Sequence, residues 1–558
     1  MAPSSTGWTI SNCEQHSVLV ETIIAMQKIE PQFRDQQTSA YPSSPEGQAE
    51  IFLQKAKAVA FYKELLSLFT IYWKQNMVST SRRVDFAKAQ KEYGTVLRTL
   101  SRQLATLSQK SPVPTSSLQP MENKGDTLPQ KNDPEKANNS ALAQQKQQEQ
   151  HYQHEYFKLV ASIDDQSHPA LTDTLTCLPR STRKKQWIAT SQNWEHQADQ
   201  FDNIFDKITA VRHQIALCYG KQQYSEVLRQ KQNASGCTSA FTEAVAMPCR
   251  SILSKLQREK KRTLHLTRLR PFDAATRNAR GFDGHKDWCT KTSTVLATMH
   301  PSLSALFQDI INEGLYDLTP RTGKAPESFC LPLPYSKKAF LFLQLRGGRK
   351  DIMTGFHELG HAFHSILSAS NSSASVTTKI VPETSEFFAL TLELFAAEHL
   401  AVYYTDPDAA KWAKRKFIES ILQVFLTHHT LYHFEHAIYS AKHTSLQRRQ
   451  LFAALISKNL GQIDYAGYET ALELWMYRIP LLISSPGYFS NYAMTQLGAL
   501  FFFDQIQKGV ATIEDVLSLM KYKGHFKLDA IFNEIGFSIT TETIQKTIQS
   551  ISTLLETK

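Results

Sequence analysis

The sequence predicts a mainly α-helical protein that contains one small β element. Apolar residues recur every three or four positions along most of the 558-residue chain, which is the spacing of helices packed against a core. Only residues 328–333 and 339–345 form short β-like runs, joined by a turn-rich connection. The hydrophobic content of 42% and the charged content of 20% are ordinary for a globular protein, and no apolar run reaches transmembrane length.

Residues 1–110 are predicted to form a helical N-terminal lobe. Residues 48–75 carry a strongly apolar helical pattern, and residues 82–109 read as a second long helix. The apolar positions of the first helix are Phe52, Ala56, Val59, Tyr62, Leu66 and Phe69. Two long neighbouring helices of this kind favour a helical hairpin.

Residues 111–150 differ in composition from the rest of the chain. They contain five prolines, many Gln, Lys, Asn and Ser residues, and no aromatic residue. Such a segment buries too little apolar surface to offset its chain entropy. We therefore predict a flexible insert or linker, and a partner-binding segment is the alternative.

Residues 151–558 are predicted to form a third, mostly helical region. A long amphipathic helix is expected over 194–219, ended by Gly220, and another helix over 301–315. The two β-like runs follow. The edge of a small sheet can bind an extended peptide through main-chain hydrogen bonds, although a purely structural hairpin is also consistent with these residues.

The helix after these β runs carries the most informative motif, His357-Glu358-x-x-His361. Positions i and i+4 of a helix lie on the same face, so both imidazoles can bind one Zn²⁺. The Glu358 carboxylate lies beside them and can take a proton from a water activated by the metal. The alternative is a helix that carries histidines on an apolar face by chance.

A third ligand is expected from the next helix, over residues 382–395. Zinc in a catalytic site takes three protein ligands and keeps one open position. Glu386 and Glu383 lie one turn apart on nearly the same face of this second helix, which a polar connection would return towards the first. Spacing alone does not choose between the two carboxylates.

HELGHAFH, with the acidic helix that follows it, resembles the thimet oligopeptidase and oligoendopeptidase F family of zinc metallopeptidases. The resemblance selects Glu386 as the third ligand, 25 residues after His361, and places a further family acid at Glu393. It implies one Zn²⁺ per chain and two helical lobes around a deep substrate channel, with a small β-sheet next to the zinc helix. Ala389 stands where family members often have serine. Family-like segments also occur at 208–220, 268–273 and 315–330.

Residues 475–500 resemble the family segment that supplies a histidine and tyrosines to the substrate. Tyr488 and Tyr492 match family tyrosines, and the resemblance implies that they help to stabilise the developing oxyanion. The family histidine is missing, because Leu481 occupies its place. Read locally, the two tyrosines are equally consistent with core or rim aromatics.

A group of histidines, His428, His429, His433 and His436, lies further along the chain. Three of them share a helical face, which is compatible with a second metal site. The surrounding FEHAIY resembles a family segment, FQHWIY, that supports the channel. A structural or substrate-lining role is therefore the favoured interpretation.

Charge and cysteine content bear on partners and compartment. The net charge is +10, and the densest basic run lies between Lys255 and Arg270. Because no aromatic residue is interleaved with that run, a solvated helix face is favoured over a nucleic-acid or membrane patch. Seven cysteines without a CxxC pair favour free thiols. The start of the chain lacks the pattern of a signal peptide, so a cytoplasmic location is expected.

These features together predict a zinc-dependent endopeptidase that hydrolyses internal bonds of short unfolded peptides. Residues 151–558 would be its catalytic domain, with His357, His361 and Glu386 as metal ligands. Glu358, Tyr488 and Tyr492 are the candidate catalytic residues. Short peptides are the expected partners, without nucleic acid or membrane. The alternatives are a relative that binds zinc and peptide but cleaves poorly, and an interaction protein with a structural zinc site.

Overall fold

The structure is a computed structural model that describes residues 18–34, 36, 45–77, 79–110, 135–164, 179–234, 237–273, 280–370, 381–521 and 527–556. In chain order, the elements up to the small sheet are α1 (Val18–Arg34), α2 (Pro45–Lys74), α3 (Thr80–Lys110), α4 (Glu135–Asp164), α5 (Arg180–His196), α6 (Ala198–Cys218), α7 (Tyr224–Ala234), α8 (Ser239–Thr263), α9 (Gly284–Met299), α10 (Pro301–Asn312), β1 (Tyr316–Asp317), β2 (Phe329–Leu333) and β3 (Lys338–Phe342). The elements that follow are α11 (Arg349–Ser370), α12 (Pro382–Glu398), α13 (Pro407–Ser440), α14 (Ser445–Ser457), α15 (Glu469–Glu473), α16 (Pro480–Ser484), α17 (Tyr488–Gln507), α18 (Ile513–Met520), α19 (Leu528–Glu534) and α20 (Thr541–Glu556).

The mainly α-helical class with one small sheet is confirmed. The chain divides into two compact units, each assembled from three stretches. The first unit comprises Met1–Lys124, Arg280–Tyr404 and Gln505–Ile531, and the second comprises Gly125–Ala279, Thr405–Asp504 and Phe532–Lys558. These interleaved units differ from the consecutive ranges 1–110, 111–150 and 151–558 predicted from composition.

The first unit contains the predicted N-terminal hairpin. Helices α2 and α3 pack against each other, and the apolar positions predicted on α2 lie in or against the core of this unit. The same core includes Leu333, Phe340 and Phe342 of the small sheet. The hairpin therefore supports one face of the sheet that precedes α11.

The sheet has three strands in the order β1-β3-β2. Strand β1 pairs with β3 in parallel, and β2 pairs with β3 in antiparallel register, Cys330 opposite Leu341. The two β-like runs are confirmed. Strand β1 is an additional strand that the sequence did not predict, because two residues are too few to show a strand pattern. Strand β2 lies at the edge of the sheet, and alternate residues of it face α2 and α11.

In the second unit, α4 corrects the predicted extent of the polar insert. Residues 111–134 lie outside the described residues, but residues 135–150 form the first half of α4, which packs against α6. Leu142 contacts the core, and Glu149 forms an ion pair of 2.7 Å with the fully buried Arg212. Low apolar content hid this helix because a few residues at helical spacing provide its packing face.

The helix predicted over 194–219 is divided between α5 and α6. Gln197 lies between them, and Trp194 and Phe201 on either side of the break stack with ring centroids 5.1 Å apart. Gly220 follows α6 with a φ of +67°, as expected of a residue that ends a helix. Helix α10 ends at Asn312, close to the predicted boundary.

None of the helices in the described part of the chain combines the length and the apolar content that a bilayer crossing requires.

Candidate metal centre

Helix α11 carries the HExxH motif and begins after a tightly held turn. The Asp351 carboxylate accepts hydrogen bonds from the backbone N–H groups of Arg346 (2.7 Å) and Gly348 (3.0 Å). One turn further on, the fully buried ring of Trp288 lies against the hydrogen atoms of Gly355, where any larger side chain would collide with it. These contacts fix the register of α11 against its surroundings.

Helix α12 approaches α11 most closely at Gly360. A Cβ atom at this position would lie 2.5 Å from the Cα atom of Ala389 and 3.0 Å from the carbonyl oxygen of Phe388. The pairing therefore requires glycine on α11 and a small residue opposite it. Since Gly360 stands directly before His361, this contact sets the separation of the two helices at the motif.

The two helices bring His357, His361 and Glu386 together. One ligand atom from each of them lies within 4.8 Å of the others. The Nε2 atoms of the two histidines are 3.1 Å apart, and the Glu386 carboxylate oxygens lie 3.5 Å and 3.7 Å from them. Glu383 does not belong to this group. The geometry thus favours Glu386 over Glu383, the choice that spacing alone left open.

Two neighbouring side chains orient the imidazoles. The Nδ1 atom of His357 lies 2.7 Å from an oxygen of Glu393, and that of His361 lies 2.8 Å from the Ser385 hydroxyl. A carboxylate can only accept, so His357 donates from Nδ1, which leaves its Nε2 atom as the position for a metal ion. Glu393 was identified from the sequence. Ser385 was not, although a hydroxyl group directly before Glu386 on α12 was a usable signal.

The residues present fit a divalent metal ion. Two imidazole Nε2 atoms and a carboxylate lie within 4.8 Å of one another, so all three can donate a lone pair to one cation. The Oε2 atom of Glu386 is buried and accepts no hydrogen bond from any residue that the structure describes. Two histidines and one glutamate form a donor set preferred by Zn²⁺, with room for further ligands.

The ionisable groups of the centre influence one another strongly. Burial opposes the protonation of His357, but the Glu393 carboxylate outweighs it and raises the pKa of His357 to about 9. Burial and the neighbouring His357 lower the pKa of His361 to about 3. Burial also raises the pKa of Glu386. The site therefore resists holding two protonated imidazoles, and a bound cation would supply the positive charge instead.

Glu358 is buried between α11 and the sheet. Its carboxylate accepts a hydrogen bond from the backbone N–H of Cys330 on the edge strand β2. Burial raises the pKa of Glu358 to about 7, against the opposing effects of His357 and this hydrogen bond. The N–H groups of an edge strand that face away from the sheet have no partner within it. The outward N–H of Cys330 on β2 can therefore hold the Glu358 carboxylate in place. No residue pattern in the sequence indicated this contact.

Tyr488 and Tyr492 lie in the first turns of α17, four residues apart on one half-exposed face. They belong to the second unit, whereas the histidines and glutamates of the metal centre belong to the first. Their role in catalysis stays a prediction. Leu481, at the place of the family histidine, is half-buried in the short helix α16.

Buried polar side chains hold the segment that leads to these tyrosines. Arg212 donates to the carbonyl oxygens of Leu482, at 2.8 Å, and Ile483. Glu435 of the FEHAIY sequence accepts from the backbone N–H of Gly487 at 3.0 Å, directly before Tyr488. Burial raises the pKa of Glu435 to about 8, although the nearby Arg212 lowers it. The FEHAIY segment therefore supports the start of α17.

His436 extends the same support. Its Nε2 atom lies 2.8 Å from Gln232, whose amide donates to the Ser490 hydroxyl at 2.9 Å. The structural role favoured for this histidine is thus consistent with its contacts.

His429 and His433 form a second group with Glu243. The amide nitrogen of Asn459 lies 3.1 Å from Nδ1 of His429, so Nδ1 accepts and Nε2 donates to Glu243 at 2.7 Å. The Arg250 guanidinium also lies 3.1 Å from that Nε2 atom. The hydrogen bonds of His429 with Asn459 and Glu243, and the Arg250 cation beside them, account for this histidine without a metal ion.

Two histidines one turn apart on one helix, with a glutamate from the neighbouring helix, define a metal site of the HExxH class in a helical protein. Residues 290–517 match the model of peptidase family M3. The predicted resemblance to oligoendopeptidase F is confirmed.

One curated relative is an oligoendopeptidase F homologue of Borreliella burgdorferi, 24% identical over 318 residues. The match covers 55% of this chain and about half (53%) of that relative. The fold is similar to that of PZ peptidase A with an inhibitor (TM-score 0.71, 18% identity, 96% of this chain and 97% of that one). It is also similar to a putative oligoendopeptidase F from Bacillus anthracis (TM-score 0.70, 16% identity, 96% of each chain).

Proposed function

We propose that this protein is a zinc-dependent oligopeptidase that cleaves internal bonds of short unfolded peptides. The observation that carries the proposal is the convergence of the His357 and His361 Nε2 atoms with the Glu386 carboxylate, whose buried Oε2 atom accepts no hydrogen bond from a described residue. The match to peptidase family M3 supports the same reaction class. We infer a cytoplasmic location from the sequence alone.

In this proposal His357, His361 and Glu386 hold one Zn²⁺ ion. When bound, zinc polarises a carbonyl group and lowers the pKa of water towards about 7. Glu393 and Ser385 keep both imidazoles in the orientation that binds the metal. Glu358, held by the Cys330 N–H, takes the proton of the attacking water and passes it to the leaving amine.

Tyr488 and Tyr492 are proposed to donate hydrogen bonds to the carbonyl oxygen as negative charge develops on it. Arg212 and Glu435 contact the segment before α17. These contacts would fix the position of the first turns of α17, which carry the two tyrosines. Support for this role comes from the sequence resemblance and from the ordered start of α17, within the second unit.

Strand β2 constrains how a peptide can bind to the sheet edge. The outward N–H of Cys330 is already used by Glu358, and Pro332, the next outward residue, has no N–H. The edge therefore offers carbonyl oxygens rather than donors. We propose that the substrate donates its own N–H groups to these carbonyls, which selects an extended peptide backbone.

A second candidate function is that of a zinc- and peptide-binding relative with weak hydrolysis. Leu481 in place of the family histidine favours it, since loss of one donor to the oxyanion can cost about 10²–10³ in rate. This candidate predicts one zinc per chain and peptide binding with very slow turnover.

The proposed function is tested with a mixture of short peptides of graded length, whose products are mapped by mass spectrometry. We expect internal cleavage that stops when a chelator removes the metal and returns when zinc is restored. Cleavage that persists without metal contradicts the proposal. Zinc binding without any cleavage favours the weakly hydrolysing relative instead.

A further inference from the structure

The basic run between Lys255 and Arg270 was interpreted from the sequence as a solvated helix face. In the structure it lies beside a groove in the second unit. The groove, of about 1120 Å³, is bounded by α8, the first turns of α13 and the end of α20. The sequence argued against a binding surface here because no aromatic residue is interleaved with the basic run. The fold brings Trp412 of α13 to the wall of the groove, from more than 140 residues further along the chain.

The floor of this groove, which we call the α8 groove, is apolar. Met247 is 56% exposed, which is unusual for a large apolar side chain, and Ile252 and Leu256 are buried beneath. The remaining apolar lining residues are Pro248, Trp412, Leu554 and Leu555. An apolar concave surface of this volume exceeds the size of most small-molecule pockets and suits a segment of peptide.

The rim of the groove is basic. Five cationic residues line it, against two carboxylates: Lys255, Arg258, Lys411, Lys414 and Arg415, with Glu259 and Asp408. Glu259 is neutralised by Arg415, at 3.0 Å. Arg258 and Lys411 are exposed and form no ion pair with any residue in the described part of the chain. An excess of positive charge therefore faces the groove.

We propose that the α8 groove binds a short acidic peptide segment that also carries apolar side chains. Charge complementarity selects the acidic groups, and the apolar floor selects the side chains between them. Single-stranded nucleic acid requires exposed aromatic faces for base stacking, whereas Trp412 is half-buried with its indole N–H inside the protein. A membrane surface requires several apolar groups that protrude, whereas Met247 alone among the apolar lining residues is mostly exposed.

The test measures fluorescence anisotropy with a short labelled peptide of alternating Glu and Leu. The full chain is used as the Glu358→Gln variant, so that the probe is not cleaved. Comparison probes are the same peptide with Gln for Glu, the same peptide with Ser for Leu, an oligo-thymidine strand, and vesicles that contain phosphatidylserine. We expect binding of the Glu/Leu peptide that is much stronger than binding of any other probe.

The double variant Arg258→Glu with Lys411→Glu should weaken binding by about tenfold or more and reduce its salt dependence. A matched control, Lys158→Glu with Lys184→Glu, changes the net charge equally at exposed positions outside the groove and should bind as the parent does. Met247→Ser should weaken binding at all salt concentrations.

If the control variant bound the peptide as weakly as the groove variant, the effect would come from the net charge of the protein, and the proposal would be overturned. Equal binding of the Gln or Ser peptides, or preferred binding of the oligonucleotide or the vesicles, would also overturn it. Because the readout is binding to a surface outside the metal centre, failure here leaves the proposed peptidase function untouched.

Discussion

At the scale of single residues, the metal centre depends on side chains that do not themselves bind metal. The imidazoles of His357 and His361 can present lone pairs to one point only because Glu393 and Ser385 occupy their Nδ1 atoms. Such outer contacts commonly affect metal affinity by about 10- to 100-fold. Ser385 is the more informative of the two, since its removal changes no charge.

Ser385→Ala is expected to weaken zinc binding by about 10- to 100-fold, because the His361 ring loses the partner that fixes its orientation. Competition with a chromogenic chelator measures the affinity. Ser370→Ala, at the exposed end of α11, is the control and should bind zinc as the wild type does. Unchanged affinity in both variants would show that the Ser385 hydroxyl does not orient His361.

At the scale of secondary-structure elements, two contacts hold the site residues in place. Helices α11 and α12 meet at Gly360 and Ala389, and the segment before α17 is held by Arg212 and Glu435. Both contacts use backbone atoms, so each positions an element rather than a single side chain. They can be perturbed independently, since one belongs to each unit.

Gly360→Ala should separate α11 from α12, because the new methyl group meets backbone atoms of α12 that cannot move alone. Overpacking of this kind costs about 1–3 kcal/mol, so the Tm should fall, and zinc affinity should fall with it. Thermal unfolding and zinc titration measure the two effects.

Gly94→Ala in α3 is the matched control. A Cβ atom there meets only the end of the flexible Arg98 side chain at 3.5 Å, and alanine favours helix more than glycine does. We expect unchanged or slightly raised stability. A Gly360→Ala protein with wild-type Tm and zinc affinity would contradict the account of the helix pair.

Glu435→Gln tests the support of the tyrosine segment through pH. The folded-state pKa of Glu435 is about 8, above the ordinary value, because burial disfavours the charged form. Its contribution to stability is therefore complete below the ordinary pKa of a glutamate and is lost as the pH rises through about 8. Glutamine keeps an acceptor for the Gly487 N–H and does not titrate.

The Tm of the wild type should consequently fall more steeply than that of Glu435→Gln between pH 5 and pH 9, and the two curves should diverge most near the folded-state pKa of about 8. Differential scanning fluorimetry across this range provides the measurement. Parallel curves would mean that Glu435 has the same pKa in the folded and the unfolded protein.

The sequence predicted these elements better than it predicted their boundaries and contacts. Spacing on one helix placed His357, Glu358 and His361 together, because local geometry alone fixes i and i+4 neighbours. Spacing left Glu386 and Glu383 open, the family resemblance selected Glu386, and the packing of α12 supports that choice. The Cys330 N–H to Glu358 contact required the position of a strand edge. Such contacts depend on backbone groups, which every residue carries, so residue types do not reveal them.

At the scale of the whole molecule, the chain passes five times between two interleaved units. Composition could not show this arrangement, because changes in composition along the chain indicate only boundaries between consecutive segments. The same limitation concealed α4, whose polar first half contributes Glu149 to the buried Arg212. Residues 135–150 of the predicted insert therefore contribute to the packing of the second unit.

Replacement of residues 135–150 by a Gly/Ser linker of equal length should destabilise the protein by about 3–5 kcal/mol, since Arg212 would remain buried without its carboxylate partner. The same replacement of residues 111–134 should leave the Tm unchanged. Chemical denaturation of both proteins compares them directly. Equal stability of the two would contradict a structural role for the start of α4, and a loss of peptide cleavage in the 111–134 variant would favour an interaction role for that segment.

The most direct test of the central claim is a parallel measurement of zinc content and peptide cleavage for the wild type and Glu358→Gln. If His357, His361 and Glu386 hold the metal and Glu358 moves the proton, both proteins should contain about one zinc per chain, and cleavage should fall by about 10²-fold or more in the variant. Equal cleavage by both proteins, or absence of zinc from both, would contradict the account.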